Sequence, residues 1–111
     1  MLVFVSYTLN DGLLTIDNLQ SIHDLVSQYA ICFIDVIDNN SVDRQKKVID
    51  TLNQSDVMLL LVSPGIKKSK WVRLEYQIAQ DLSIPIYEVN VEDGDFKERI
   101  RILLNKERIN G

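Results

Sequence analysis

Glu75 follows Trp71 by four positions, so on a helix the two side chains share one face. An indole beside a carboxylate excludes water and strengthens the field that the carboxylate exerts on a nearby cation. On spacing alone, the commoner arrangement is a helix with a buried Trp71 and a surface Glu75 paired with Arg73 or Lys70. Asp35 and Asp38, with Asn39 and Asn40 after them, offer oxygens that suit a hard cation. The same residues make a polar turn whose side chains satisfy loop backbone groups, and that reading is preferred. His23 is the only imidazole and is expected on a solvated helix face, so Ser-His-Asp and Cys-His mechanisms have little material. Cys32, the only cysteine, sits inside an apolar run and reads as core packing. It leaves no internal disulfide, thiolate zinc cluster or Cys-x-x-Cys pair. Lys67, Lys68 and Lys70 around Ser69 read as a solvated loop before they read as an anion site.

Several phosphate chemistries are excluded. Neither G-x-x-x-x-G-K-[ST] nor G-x-G-x-x-G is present, and Gly12 stands alone in the first loop. A phosphoacceptor site would need an acidic pair after the first strand. Ser6-Tyr7-Thr8 stands there instead, and no lone Asp ends the third strand.

The elements that must position these residues follow from hydrophobic patterning. Four apolar runs cover residues 2–7, 30–37, 57–63 and 84–89, and their starts differ by 28, 27 and 27 residues. Each interval fits a strand plus a crossover helix. The runs are nearly continuous, which predicts parallel strands covered on both faces. Between them, Leu14, Leu19, Ile22, Leu25, Val26 and Tyr29 have helical spacing. A second helix is expected to open at Ser41 as N-cap and to bury Val42, Val48, Ile49 and Leu52. A third opens near Ser69 and presents Trp71, Val72, Leu74, Ile78, Ala79 and Leu82; Pro85 limits its end. The last begins at Asp95 with Phe96, Ile100, Leu103 and Leu104 along one stripe, and Lys106 and Arg108 suit its C-terminus.

Right-handed crossovers convert this order into an α/β three-layer sandwich of flavodoxin-like type. It has a parallel sheet of four strands, or five, with helices on both faces and the first strand central. Ligands of such sheets bind outside the carboxyl ends of the strands, which nominates loops 8–13, 38–41, 63–70 and 90–95.

Composition sets the frame. The chain has 111 residues, 46% hydrophobic and 25% charged, which fits one domain over 1–111 and excludes a disordered or low-complexity chain. No apolar run approaches the roughly 20 residues of a membrane helix. The apolar start lacks the basic flank and cleavage site of a signal peptide, so a cytoplasmic protein without a membrane partner is expected. A net charge of −4 argues against nucleic acid as the main ligand.

Taken in order, these signals resemble a Toll/interleukin receptor (TIR) domain, of the bacterial TIR-like kind. Val3-Phe4-Val5-Ser6-Tyr7 is similar to the opening strand of that family, with Asn10-Asp11 as its polar-acid pair. The segment from Ser55-Asp56 through the apolar strand to Ser63-Pro64 is similar to a second family segment. Ser69-Lys70-Trp71-Val72-Arg73-Leu74-Glu75 is similar to its S-x-W-V-x-x-E helix start, and Ile84-Pro85-Ile86 to the strand that follows.

The resemblance implies NAD+ as substrate rather than cofactor, with no metal. It gives Glu75 as the catalytic carboxylate, Trp71 as a wall of the pocket, and Ser6, Tyr7 and Ser63 as lining of the nucleotide site. It further implies a bacterial defence or signalling role, with an NAD+ glycohydrolase or cyclase activity that releases nicotinamide. Self-association or pairing with another TIR-like domain is implied as well. Two alternatives stand beside this. One is a non-catalytic interaction module, suggested by the short 38–41 segment and the acidic surface. The other is ribosyl transfer of the nucleoside deoxyribosyltransferase kind, which also uses a Glu at a ribose centre.

Overall fold

The computed structural model describes residues 1–110, with side chains as far as Lys106. Strand β1 (Leu2–Ser6) is followed by helix α1 (Ile16–Ser27), β2 (Ile31–Phe33), a four-residue helix α2 (Asp35–Asp38) and α3 (Arg44–Gln54). Then come β3 (Val57–Val62), a 3-10 turn (Ile66–Lys68), α4 (Lys70–Asp81), β4 (Ile86–Asn90) and α5 (Phe96–Asn110). The strands form one parallel sheet in the order β2-β1-β3-β4, so β1 is central.

Alternation along the strands divides the core into two layers. Val3 and Val5 of β1, with Leu59, Leu61 and Val89, meet Leu19, Ile22 and Val26 of α1 and Ile100 and Leu104 of α5. On the opposite face Phe4, Phe33 and Met58 meet Val48 and Leu52 of α3 and Ala79 of α4. The rings of Phe4 and Phe33, which are register partners, stack with centroids 5.5 Å apart.

Several expected boundaries differ, and the strand expected over 84–89 is observed as β4 over Ile86–Asn90. The apolar run 30–37 is a strand only over Ile31–Phe33, after which the chain turns into α2. The cause is local. Asp38 Oδ2 accepts the Ile34 N–H at 2.7 Å, and the Tyr7 hydroxyl oxygen accepts the Val36 N–H at 3.1 Å. Both backbone donors are thereby drawn away from a strand ladder. Helix α3 is capped by Asp43, whose side chain accepts the Lys46 N–H at 3.0 Å, rather than by Ser41. Val42 therefore precedes the helix and is fully exposed, while Ile49 is half-buried. Leu74 in α4 and Leu82 at its C-cap are exposed, and the buried stripe of the helix is Val72, Glu75 and Ala79. The side chain of Arg108, expected at the end of the last helix, lies outside the described residues.

Helix α4 ends in a Schellman arrangement. Ile84 N–H reaches Ala79 C=O at 2.9 Å and Ser83 N–H reaches Gln80 C=O at 3.0 Å. The motif places Ser83 at φ 58°, a left-handed conformation that costs a residue with a Cβ. Ser83→Gly is therefore expected to stabilise the domain by about 0.5–1 kcal/mol, read as a higher midpoint in urea with an unchanged slope.

Candidate active site

The site is assembled where β1 and α4 meet at the carboxyl edge of the sheet. Ser69 caps α4 by accepting the Val72 N–H at 3.2 Å, which fixes the helix start just after the 63–70 loop. From that start, residues 72, 75 and 79 face the sheet, so packing the helix buries the Glu75 carboxylate along with its apolar neighbours. Ser6 ends β1 on the Phe4 face, toward α4, and its hydroxyl donates to Glu75 Oε1 at 2.8 Å. Glu75 is 5% exposed. A surface Glu75 paired with Arg73 or Lys70, favoured by spacing alone, is thus replaced by a core carboxylate held from the central strand.

Burial pushes the Glu75 pKa from 4.5 up to about 7. The Ser6 hydroxyl works against that shift, the Asp35 charge adds to it, and Trp71 opposes it. The carboxyl group therefore exchanges its proton near neutral pH. Burial, more than any other influence, likewise raises the Tyr7 phenol to about 12, so Tyr7 stays neutral while its oxygen accepts the Val36 N–H.

Tyr7, Trp71 and Glu75 line one cleft with Val5 and Asp35, with a volume of about 100 Å³. That is room for a single ring of a ligand, since whole-ligand sites run to roughly 300–1,000 Å³. A larger groove of about 440 Å³ lies on the other flank of α4, floored by Leu60, Val62 and Val72, and contains none of the candidate residues.

Asp35 is the cleft residue that sequence reading assigned to a polar turn. Its place at the first position of α2 follows from the turn after Phe33. Asn39 Nδ2 donates to its Oδ1 at 2.7 Å, and Arg44 Nη2 lies 3.4 Å from Oδ2. The two carboxylates at an i, i+3 interval, each able to cap a turn, were the available signal. Asp38 is instead held by His23 Nε2, 3.1 Å from both its oxygens. His23 is thus half-buried and partnered rather than displayed on a solvated face. Cys32 is buried, and burial raises its thiol to about 12, as suits core packing. Among the described residues, no group of three or more His, Cys, Asp or Glu is placed to hold a metal ion.

Ser63 is not among the cleft-lining residues. It is buried beside the loop clamp made by Asp11, whose Oδ2 accepts the Gly65 N–H at 2.8 Å. The Ser63 hydroxyl is the foremost influence holding the Asp11 pKa below the usual carboxylate value. It does so without ordinary hydrogen-bond geometry, and its buried oxygen has no hydrogen-bond partner among the described residues. The clamp depends on a glycine, because a Cβ at Gly65 would stand 2.9 Å from Asp11 Oδ2 and 3.0 Å from Asp11 Cβ. Gly65→Ala should force the 8–13 and 63–70 loops apart at a cost of about 1–3 kcal/mol, visible as a lowered thermal midpoint.

The model of the TIR-like domain of the Thoeris protein ThsB matches residues 4–95, a span that includes the whole cleft. The chain belongs to this family. Among solved structures it is similar to the TIR domain of the Toll-related receptor TRR-2 from the lower metazoan Hydra magnipapillata, with a TM-score of 0.60 and 21% identity. That likeness covers 78% of this chain and 66% of the Hydra domain, and it supports the parallel α/β sandwich. No curated protein matches the sequence. With the family established, the four-stranded sheet, the central β1 and the α4 helix are TIR-like elements of this chain. No described helix is long and apolar enough to cross a membrane.

Proposed function

We propose that this TIR-like domain cleaves NAD+ at the nicotinamide glycosidic bond, with Glu75 as the catalytic carboxylate and Trp71 and Tyr7 as the walls of the ring site. The observation that carries the reading is the buried Glu75 carboxylate, held by Ser6 at 2.8 Å and open to an aromatic-walled cleft. Ser6 orients Glu75, while Ser63 supports the neighbouring loop from outside the cleft.

The chemistry suits one carboxylate. Nicotinamide in NAD+ is already cationic, so the C1′–N bond breaks with its electron pair going to the ring nitrogen, and no general acid is needed. Ordinary glycosides, by contrast, need a protonated leaving group. Positive charge passes to the ribosyl oxocarbenium, where ionised Glu75 stabilises it in a water-poor cleft. Water attack at C1′, with loss of one proton to solvent, gives ADP-ribose; attack by a ring nitrogen of the adenine gives a cyclic product. The family name, which places the chain with the Thoeris protein ThsB, supports a defence or signalling role for such a product.

A second reading has its own support. A cleft of about 100 Å³ encloses one ring and leaves the remainder of a dinucleotide uncovered. This suits a domain that associates with a second copy or another TIR-like domain, either to complete the site or as a non-catalytic module. The two readings separate on one preparation. NAD+ incubated with concentrated protein should yield nicotinamide together with ADP-ribose or its cyclic form. Concentration-dependent association by light scattering, without any nicotinamide, would replace the enzymatic reading with the interaction module. Base exchange on a deoxynucleoside would instead favour the ribosyl-transfer alternative.

A further inference from the structure

The lining of the cleft has an unusual charge pattern. Its five residues are two aromatic rings, Tyr7 and Trp71, two acidic side chains, Asp35 and Glu75, and Val5, with no cationic side chain among them. The cleavage step requires no second acidic group. Glu75 alone faces the developing charge, and Asp35 opposes its ionisation.

Asp35 is nevertheless held firmly in place. Asn39, itself 5% exposed, fixes Oδ1 at 2.7 Å with a neutral amide that leaves the charge of Asp35 intact. The helix that carries Asp35 is tied to the cleft wall through Val36 N–H and the Tyr7 oxygen, and to α1 through Asp38 and His23. Among the described residues the cation paired with Asp35 is Arg44, 3.4 Å from Oδ2 and with its side chain 56% exposed, so it screens the charge from the solvent side. Aromatic faces and carboxylates around one ring-sized space favour a flat cation over a neutral ring of the same shape.

We propose that Asp35 is a specificity-determining residue that makes this cleft select N-substituted pyridinium rings, the cationic half of the substrate, over neutral nicotinamide. The inference deepens the NAD+ reading and takes from it the idea that the ring enters this cleft. In that reading, selection by charge also has a kinetic consequence. Cleavage turns the ring neutral, so the product is held less tightly than the substrate from which it came and leaves readily.

The test needs no turnover. Binding of 1-methylnicotinamide, a cation, is compared by NMR titration with its neutral N-methylpyridone carboxamide counterpart and with nicotinamide, at pH 8. Wild type should bind the cation about fivefold more tightly than either neutral ring. Asp35→Asn, which keeps the bond to Asn39, should cut that preference to about twofold. Arg44→Gln, which removes the screening charge, should increase it. Equal affinity of wild type for all three rings overturns the inference, as does an unchanged preference in folded Asp35→Asn. The failure of the two readings is distinguishable. Cation preference without nicotinamide release refutes NAD+ cleavage and leaves the charge-selective cleft standing. Release without the preference does the reverse.

Discussion

Glu75→Gln is expected to melt well above the wild-type domain at pH 8 and to lose that advantage at pH 5. Proton linkage sets this pH dependence. The folded-state pKa of Glu75 is raised from 4.5 to about 7, so the folded form binds a proton that the unfolded form releases between those values. Stability from this group is fully present below pH 4.5 and is lost as pH rises through about 7, where the carboxyl must ionise while buried. The two and a half pH units between those pKa values correspond to about 3 kcal/mol, an upper limit for what the neutral amide recovers. For a domain of this size that is roughly 10 °C in the melting midpoint. The difference between variant and wild type should open from pH 4.5 to 7 and stay flat above it, measured as paired thermal melts across pH. A variant that melts lower than wild type at pH 8 would mean that the carboxylate is favourably bound in the folded protein.

The second large effect is on turnover. If ionised Glu75 carries the cleavage, kcat/KM for NAD+ should follow the ionisation of the free enzyme. It should rise tenfold per pH unit below about 7 and level off above, so that the rate constant at pH 5.5 is roughly thirtyfold below the plateau. Ser6→Ala removes the hydroxyl that favours the charged form and should therefore move the midpoint upward. It should also lower the plateau, since the carboxylate loses the bond that orients it. A profile flat from pH 5 to 8 would separate turnover from Glu75.

The spacing of the four apolar runs was enough to specify the parallel sheet and the central position of β1, because a βα rhythm with right-handed crossovers allows few arrangements. The start of α4 at Ser69 was legible for the same kind of reason, as a capping residue directly before a helical stripe. The character of Glu75 was not. A carboxylate in the register of Val72 and Ala79 is chemically discordant with them, and spacing alone cannot say whether the helix rotates it outward or the core accepts it. The Ser6 hydroxyl, sixty-nine residues away in sequence, is what makes burial tolerable. Asp35 was missed because the apolar run 30–37 reads as one strand. Its interruption depends on Tyr7 and His23, both distant in sequence, meeting Val36 and Asp38. Val42 erred in the opposite direction, since an apolar residue next to a good capping residue looks like a first helical turn, while Asp43 supplies the actual cap.

The most direct measurement is nicotinamide release from NAD+, followed by chromatography at pH 8 with concentrated protein, wild type beside Glu75→Gln. Their thermal melts, run on the same preparations, keep loss of fold separate from loss of chemistry. The account predicts nicotinamide from wild type and at least a hundredfold less from a variant that melts no lower, on the scale typical of removing an electrostatic catalytic group. Equal release from both proteins, or none from wild type at any concentration reached, would contradict it.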